Sequence, residues 1–354
     1  MTTTVAVILL VAVTAYVLLG GADFGAGMWD LTAGGADRGA RPRALIEQGI
    51  GPVWEANHVW LIFVFVITWT AFPEAYEAIT LTMFVPLTIA ALGIVARGAG
   101  FAFRKAVVRT RYRRFFGAVF ASSSVLVPYC WGAIAGGILS GQVPAGGRAG
   151  DPVHSWINPT SIVVGLLGVA AVAHLAATYL VWVAHRARDH ELAGYFRRRA
   201  LASGVLAVAL AVVGAFMLSA HASYVFDGLT SRGLVPTVIA ALASGGTLVL
   251  LALHVLRGLR ALAALAVGGI VIAGGAAQWP YILPTSLTFS AAAAPKDTLV
   301  TILVVTVLAA LIVLPGFALL FVLDQRDLLH EDEESAGPPL VEVRAPGRAS
   351  KPTT

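Results

Sequence analysis

The sequence predicts an all-α, polytopic transmembrane bundle of about nine spans, and three observations predict it. Of 354 residues, 58% are hydrophobic and only 12% charged, with a mean hydropathy of +0.83, well outside the usage of water-soluble domains. The apolar residues come in runs of about 20, the length a helix needs to cross a bilayer core. The basic residues also fall almost entirely on alternate loops, the bias that topology imposes on a membrane chain.

Hydropathy places the spans near residues 5–25, 53–72, 78–97, 115–140, 161–184, 200–220, 235–256, 260–284 and 298–323. The first lacks the cationic start and small-residue cleavage site of a signal peptide and reads as a retained helix. The second opens on Gly51-Pro52, with proline suited to a first helical turn. The stretch 235–284 is too long for one crossing, and Arg257, Gly258 and Arg260 mark the turn that divides it. Trp279-Pro280 through Pro284-Thr285-Ser286 closes the eighth span with an aromatic belt and a helix stop. Residues 1–325 therefore read as the membrane domain. The tail, 326–354, with the acidic run Glu331-Asp332-Glu333-Glu334 followed by prolines and glycines, reads as disordered and cytoplasmic.

With these spans, all but Arg148, Arg232 and Lys296 of the 24 lysines and arginines lie on one side. That side is expected to be cytoplasmic, with the N-terminus outside and the C-terminus inside. The net charge of +5 is thereby explained as topology and calls for no nucleic acid. No loop between spans approaches the roughly 50 residues of an independent domain, which leaves no room for a soluble catalytic unit. A single cysteine, Cys130, permits neither an internal disulfide nor a thiolate metal cage.

An ionisable side chain inside a bilayer costs on the order of 3 kcal/mol, so each one is a functional candidate. Asp23, in Gly20-Gly21-Ala22-Asp23-Phe24-Gly25-Ala26-Gly27, lies near the arginine-rich end of span 1 among small residues that admit a close neighbouring helix or a file of water. Its plainer reading is an acid already at the interface. Trp54-Glu55-Ala56-Asn57-His58-Val59-Trp60 puts Glu55 and His58 on one helical face. A partly desolvated carboxylate beside an imidazole suits a proton relay; the alternative is a satisfied polar cluster capping the helix. Arg97 reads either as an anchor snorkelling to headgroups or as counter-ion to Asp23 or Glu55. His174 and His254, on apolar helices, read first as packing residues and only second as haem ligands. Glu74 and Glu77 read as members of a solvated loop.

These residues resemble subunit II of the cytochrome bd-type quinol oxidases. The resemblance rests on Gly21-Ala22-Asp23-Phe24-Gly25-Ala26-Gly27, on Gly51 through Leu61, on Ala71-Phe72-Pro73-Glu74-Ala75-Tyr76, on Arg97 with Gly100-Phe101-Ala102-Phe103-Arg104, on Ile157-Asn158-Pro159, on Ala176-Ala177-Thr178-Tyr179-Leu180 and on Pro280 through Ser286. The motif of span 2, with Trp54, Asn57 and Trp60, is the most specific. The resemblance implies a heterodimer in the bacterial cytoplasmic membrane. Its subunit I would carry two b-type haems and one d-type haem, oxidise quinol and reduce dioxygen to water. This chain would be scaffold and contributor to a cytoplasmic proton path through Asp23, Glu55, His58 and Arg97, with no catalytic or metal-ligating residue of its own. Small accessory subunits and a structural quinone on this chain belong to the same expectation. Two departures bear on the path: Glu55-Ala56-Asn57 stands where many relatives have Asp-Gly-Asn, and Gly20 where some have a further acid. A proton-coupled secondary transporter is the rival reading, since acids at glycine-rich helix ends suit it too, and pure scaffold is a third.

Overall fold

The computed structural model describes residues 1–35, 38–50, 54–106 and 110–325, leaving aside the side chains of 50, 54–56, 104–106, 110, 113, 321, 324 and 325. The expected disordered tail, 326–354, lies outside the described residues. Twelve helices and one short hairpin make up the described chain, in the order α1 (Thr2–Leu31), α2 (Ala40–Ile50), α3 (Trp54–Ala71), α4 (Pro73–Thr82), α5 (Phe84–Ala106), α6 (Thr110–Leu139), α7 (Pro159–Arg186), α8 (His190–His221), α9 (Ser223–Thr230), α10 (Leu234–Ala252), α11 (Leu259–Gln278), β1 (Tyr281–Leu283), β2 (Leu287–Thr288) and α12 (Lys296–Gln325). Among the described residues eight helices are long and apolar enough to cross a bilayer, and the pair α3 and α4, bent by 119°, makes a ninth if it is counted as one broken span.

The boundaries follow local chemistry. Pro73 cannot continue the hydrogen-bond ladder of α3, so a new helix starts with proline at its first turn. Asn158 caps α7 by accepting from the Ser161 N–H, with Pro159 behind it. Asp189 caps α8 by accepting from Leu192 N–H. Gly258, at φ +79°, turns the chain into α11 in a conformation open to glycine.

Three details differ from the sequence expectation. Span 8 ends at Gln278, and its last expected residues form the antiparallel hairpin, Tyr281 opposite Thr288 and Leu283 opposite Leu287, because Pro280 and Pro284 cannot remain in a helix. Glu74 and Glu77 sit on α4 rather than in a loop, since Ala75 and Ala78 give that segment an apolar face to bury. His254 has left α10 and stands in the turn before α11, at φ 60°.

The bundle is organised around α1 and α7. The first packs on α3, α6, α7 and α11, and the second on α1, α6, α8 and α11. Small residues set these crossings. A Cβ at Gly25 would run into the Val172 carbonyl of α7, and one at Gly132 of α6 would lie 2.5 Å from the Val164 carbonyl. Backbones this close gain dispersion contacts that lipid cannot offer. Contacts across the helix ends gather the arginines at one pole. Arg43 Nε donates to Asp30 Oδ1 at 2.8 Å, Arg197 to the Leu251 carbonyl at 3.1 Å, and Arg199 to the Thr32 carbonyl at 3.3 Å. At the other pole Val5, Phe72, Met83, Leu283, Phe289 and Leu299 share one apolar cluster, and Ala294 N–H donates to the Ala71 carbonyl at 2.8 Å.

Candidate functional site

About two turns inside the arginine-rich end, α1, α3, α5 and α6 bring four polar side chains together. Asp23 is buried on α1, and its Oδ2 accepts from Asn57 Nδ2 of α3 at 2.7 Å. Asn57 Nδ2 also reaches the Leu19 carbonyl at 3.4 Å. Arg97 of α5, only 1% exposed, donates through Nη2 to the Asp23 carbonyl at 2.9 Å and through Nε to Ser124 Oγ of α6 at 3.2 Å. Its guanidinium lies 4.8 Å from the Phe24 ring centre and 4.9 Å from that of Phe120. Arg97 therefore points into the bundle instead of snorkelling to headgroups. The reason is partners: a carbonyl, a hydroxyl, two aromatic faces and the attraction of the Asp23 carboxylate together replace its hydration.

The glycine motif holds this arrangement by removing bulk. A Cβ at Gly27 would collide with Ser124 Oγ, the group that Arg97 uses, and one at Gly21 would lie 2.9 Å from Val172 Cγ1. Small residues around Asp23 thus admit helices α6 and α7. Gly20 faces the Tyr16 ring, 2.9 Å from the place of its absent Cβ. A further acid at that position would displace the tyrosine.

His58 stands beside the cluster, edge-on to Tyr16 and Phe24 with ring centres 6.3 and 6.0 Å away. Trp60 stacks on Phe317 of α12 at 6.1 Å. Trp54 and Glu55 occupy the first turn of α3 and Arg104 the end of α5, but their side chains lie outside the described residues. Of the expected site residues the structure thus joins Asp23, Asn57 and Arg97 directly and sets His58 alongside. His174, on α7, places Nδ1 2.9 Å from the Ala200 carbonyl as a packing residue between α7 and α8. Sequence reasoning passed over Ser124, Phe120, Tyr16 and Trp131. The run Ser122-Ser123-Ser124 inside an otherwise apolar span was the available signal for the first.

From Tyr16 and Phe24 an apolar cavity of about 690 Å³ runs between α1, α3, α6, α7 and α11 toward Thr3, Gln278 and Trp279 at the opposite pole. The Tyr16 hydroxyl and Trp131 indole N–H are buried neighbours at its inner end, with ring centres 6.3 Å apart, and their geometry falls short of a hydrogen bond. Both residues line the cavity and carry a donor without a partner there.

The model of the family described as cytochrome bd terminal oxidase subunit II matches residues 1–323. The chain belongs to that family. It is accordingly an integral, multi-pass protein of the bacterial inner membrane. Among relatives of this subunit II family, it is 27% identical over 228 residues to the cytochrome bd ubiquinol oxidase subunit 2 of Bacillus subtilis (strain 168), covering 64% of each chain. It is 26% identical over 168 residues to the cytochrome bd-I ubiquinol oxidase subunit 2 of Escherichia coli (strain K12), covering 45% of this chain and 43% of the relative. The chain thus spans less than two thirds of the length of these curated relatives. Among solved structures, the bd oxidase from Geobacillus thermodenitrificans contains a chain of the same fold, with a TM-score of 0.72 and 23% identity over 90% of this chain and 98% of that one.

Proposed function

We propose that this chain is the haem-free subunit II of a quinol-oxidising, dioxygen-reducing complex, and that it conducts cytoplasmic protons toward a haem-bearing subunit I. The family match over residues 1–323 carries this reading. The buried Asp23, Asn57 and Arg97 set, at the family's own motif positions, supports the proton path. In this reading the arginine-rich pole is cytoplasmic, the N-terminus is outside, and residues 1–325 form one membrane domain ahead of a cytoplasmic tail. Two b-type haems and one d-type haem on the partner would supply electron transfer and dioxygen reduction.

This chain's own residues then have definable tasks. Glu55, in the first turn of α3, takes a proton from the cytoplasmic side, with His58 one turn deeper as the next acceptor. Asp23 is the buried carboxylate on the neighbouring helix. Asn57 orients it by donating to Oδ2, and Arg97 lowers the cost of its negative charge while pinning α1 to α5 through the Asp23 carbonyl. A structural quinone would be held in the apolar cavity, where Tyr16 and Trp131 are the polar side chains at its inner end. Protons drawn from inside and released from quinol outside would build a gradient without a pump.

The test is Glu55→Gln, and separately Asp23→Asn, in the full complex isolated from its own membrane. Either variant should lower quinol-dependent oxygen uptake by about a hundredfold or more, the usual range for loss of a proton-transferring group, with haem bands unchanged. Unaltered turnover would remove that residue from the path and leave pure scaffold. A chain that purifies alone, colourless, and binds a polar solute would favour the transporter.

A further inference from the structure

The guanidiniums of the arginine-rich pole differ in their partners. Arg41 and Arg43 are matched to acids: Arg41 reaches Asp189 at 2.8 Å and Glu191 at 2.7 Å, and Arg43 reaches Asp30 at 2.8 Å. Arg257 and Arg260, in the α10 to α11 turn and the first turn of α11, are exposed and make no ion pair or hydrogen bond among the described residues. Arg260 instead lies over Trp182 of α7, its guanidinium carbon 3.9 Å from the indole centre. Arg186, one turn further along α7, approaches the same indole at 5.6 Å, and Tyr179 stacks on it at 6.0 Å. A cation over a ring spends none of its N–H donors on a hydrogen bond, so those of Arg260 remain available to an anion.

We propose that Arg260, seated on Trp182, and Arg257, three residues before it in the α10 to α11 turn, bind the phosphodiester headgroup of an anionic phospholipid. Charge complementarity argues for an anion, since these arginines add charge at a place where no acid of α10 or α11 offsets it. The surroundings argue for a lipid. Leu253 and Val255, 66% and 40% exposed, stand in the same turn, and acyl chains would cover them where a hydrophilic acidic peptide would leave them wet. Trp182 sits at the end of a membrane helix, the depth at which aromatic rings meet headgroups. Basic residues clustered at helix ends are a usual setting for such a headgroup. The inference does not rest on the oxidase reading.

The experiment uses the purified full chain with whatever subunits accompany it, in mild detergent, exposed to mixed micelles of phosphatidylglycerol or phosphatidylcholine and read by native mass spectrometry. Wild type should retain phosphatidylglycerol in preference to phosphatidylcholine. R257Q/R260Q should lose that retention by about thirtyfold, two arginines at the usual strength of a basic residue against an anionic headgroup. R257K/R260K should keep most of it, and R41Q all of it. Equal retention by R257Q/R260Q, or no preference in wild type, would overturn the proposal. Displacement of the lipid by millimolar inorganic phosphate would overturn it in favour of a free anion. Uptake by the isolated chain but not by its complex would overturn it in favour of a protein contact.

Discussion

Asp23 and Arg97 share one buried neighbourhood yet are joined mainly through the Asp23 carbonyl, which leaves the carboxylate to Asn57. The amide is therefore the carboxylate's hydrogen-bond donor, while Arg97 acts on it through charge. Asn57→Ala should destabilise the chain by about 1.5 to 3 kcal/mol, the worth of a buried hydrogen bond to a charged group, read as a lower midpoint of unfolding in detergent. An unchanged midpoint would mean that Asp23 is neutral or finds another donor. Gly25 makes a sharper case, because a methyl there meets backbone rather than a flexible side chain. Gly25→Ala should cost about 3 kcal/mol, at the upper end for overpacking. Gly245→Ala, with nothing within 4 Å of the new methyl, should fall within about 0.5 kcal/mol of wild type.

Between α6 and α7 the connection is tied down by one acid. Asp151 Oδ1 accepts from the backbone N–H groups of Val153 and His154, at 2.8 and 2.7 Å, and Oδ2 lies 3.1 Å from His154 Nδ1. Those donors, the His154 N–H foremost, hold the Asp151 carboxyl down at about 2. A depressed pKa contributes stability that is present above the ordinary carboxylate range and is lost as pH falls through the folded value. The turn should therefore keep its slow amide exchange from pH 7 down to about 3 and lose it near 2. Asp151→Asn, which has no charge to lose, should show no such step. Asp189 and Arg41 make the matching tie at the other pole: the Leu192 N–H and then Arg41 hold the Asp189 carboxyl below its usual range, which links α2 to the start of α8.

Burial across the bundle is uneven. In α7 most of the apolar window is inside the protein, whereas none of the window of α12 is, and that helix rests mainly on α3 and α1 among the described residues. Cooperative protection follows packing, so hydrogen exchange of the isolated chain in detergent should be slowest in α7 and fastest among the spans in α12. If α12 were protected as strongly as α7, a partner or a second copy would have to be covering it. The central place of α1 and α7 also explains why the glycine motif and the Ala176-Ala177-Thr178 stretch are built from small residues. Both lie where the two backbones cross, Gly25 meeting Val172 and Ala176.

Much of the architecture could be read from one dimension. The polytopic helical class, the presence of an apolar helix at most of the expected spans, the turn at Gly258 and the gathering of arginines on alternate loops follow from chain length, apolarity and charge, because a bilayer makes the same demand of every segment that crosses it. Asp23, Asn57, His58 and Arg97 were also legible, as costly polar groups in apolar runs. What the pattern could not supply is rotation about each helix axis. Spans such as α1, α8 and α12 are apolar on every side, so no stripe marks the inward face. Hence the inward turn of Arg97, its hold on Ser124, the cavity ending at Tyr16 and Trp131, and the seat of Arg260 on Trp182 were decided only when the helices packed, by which small residues let two backbones meet.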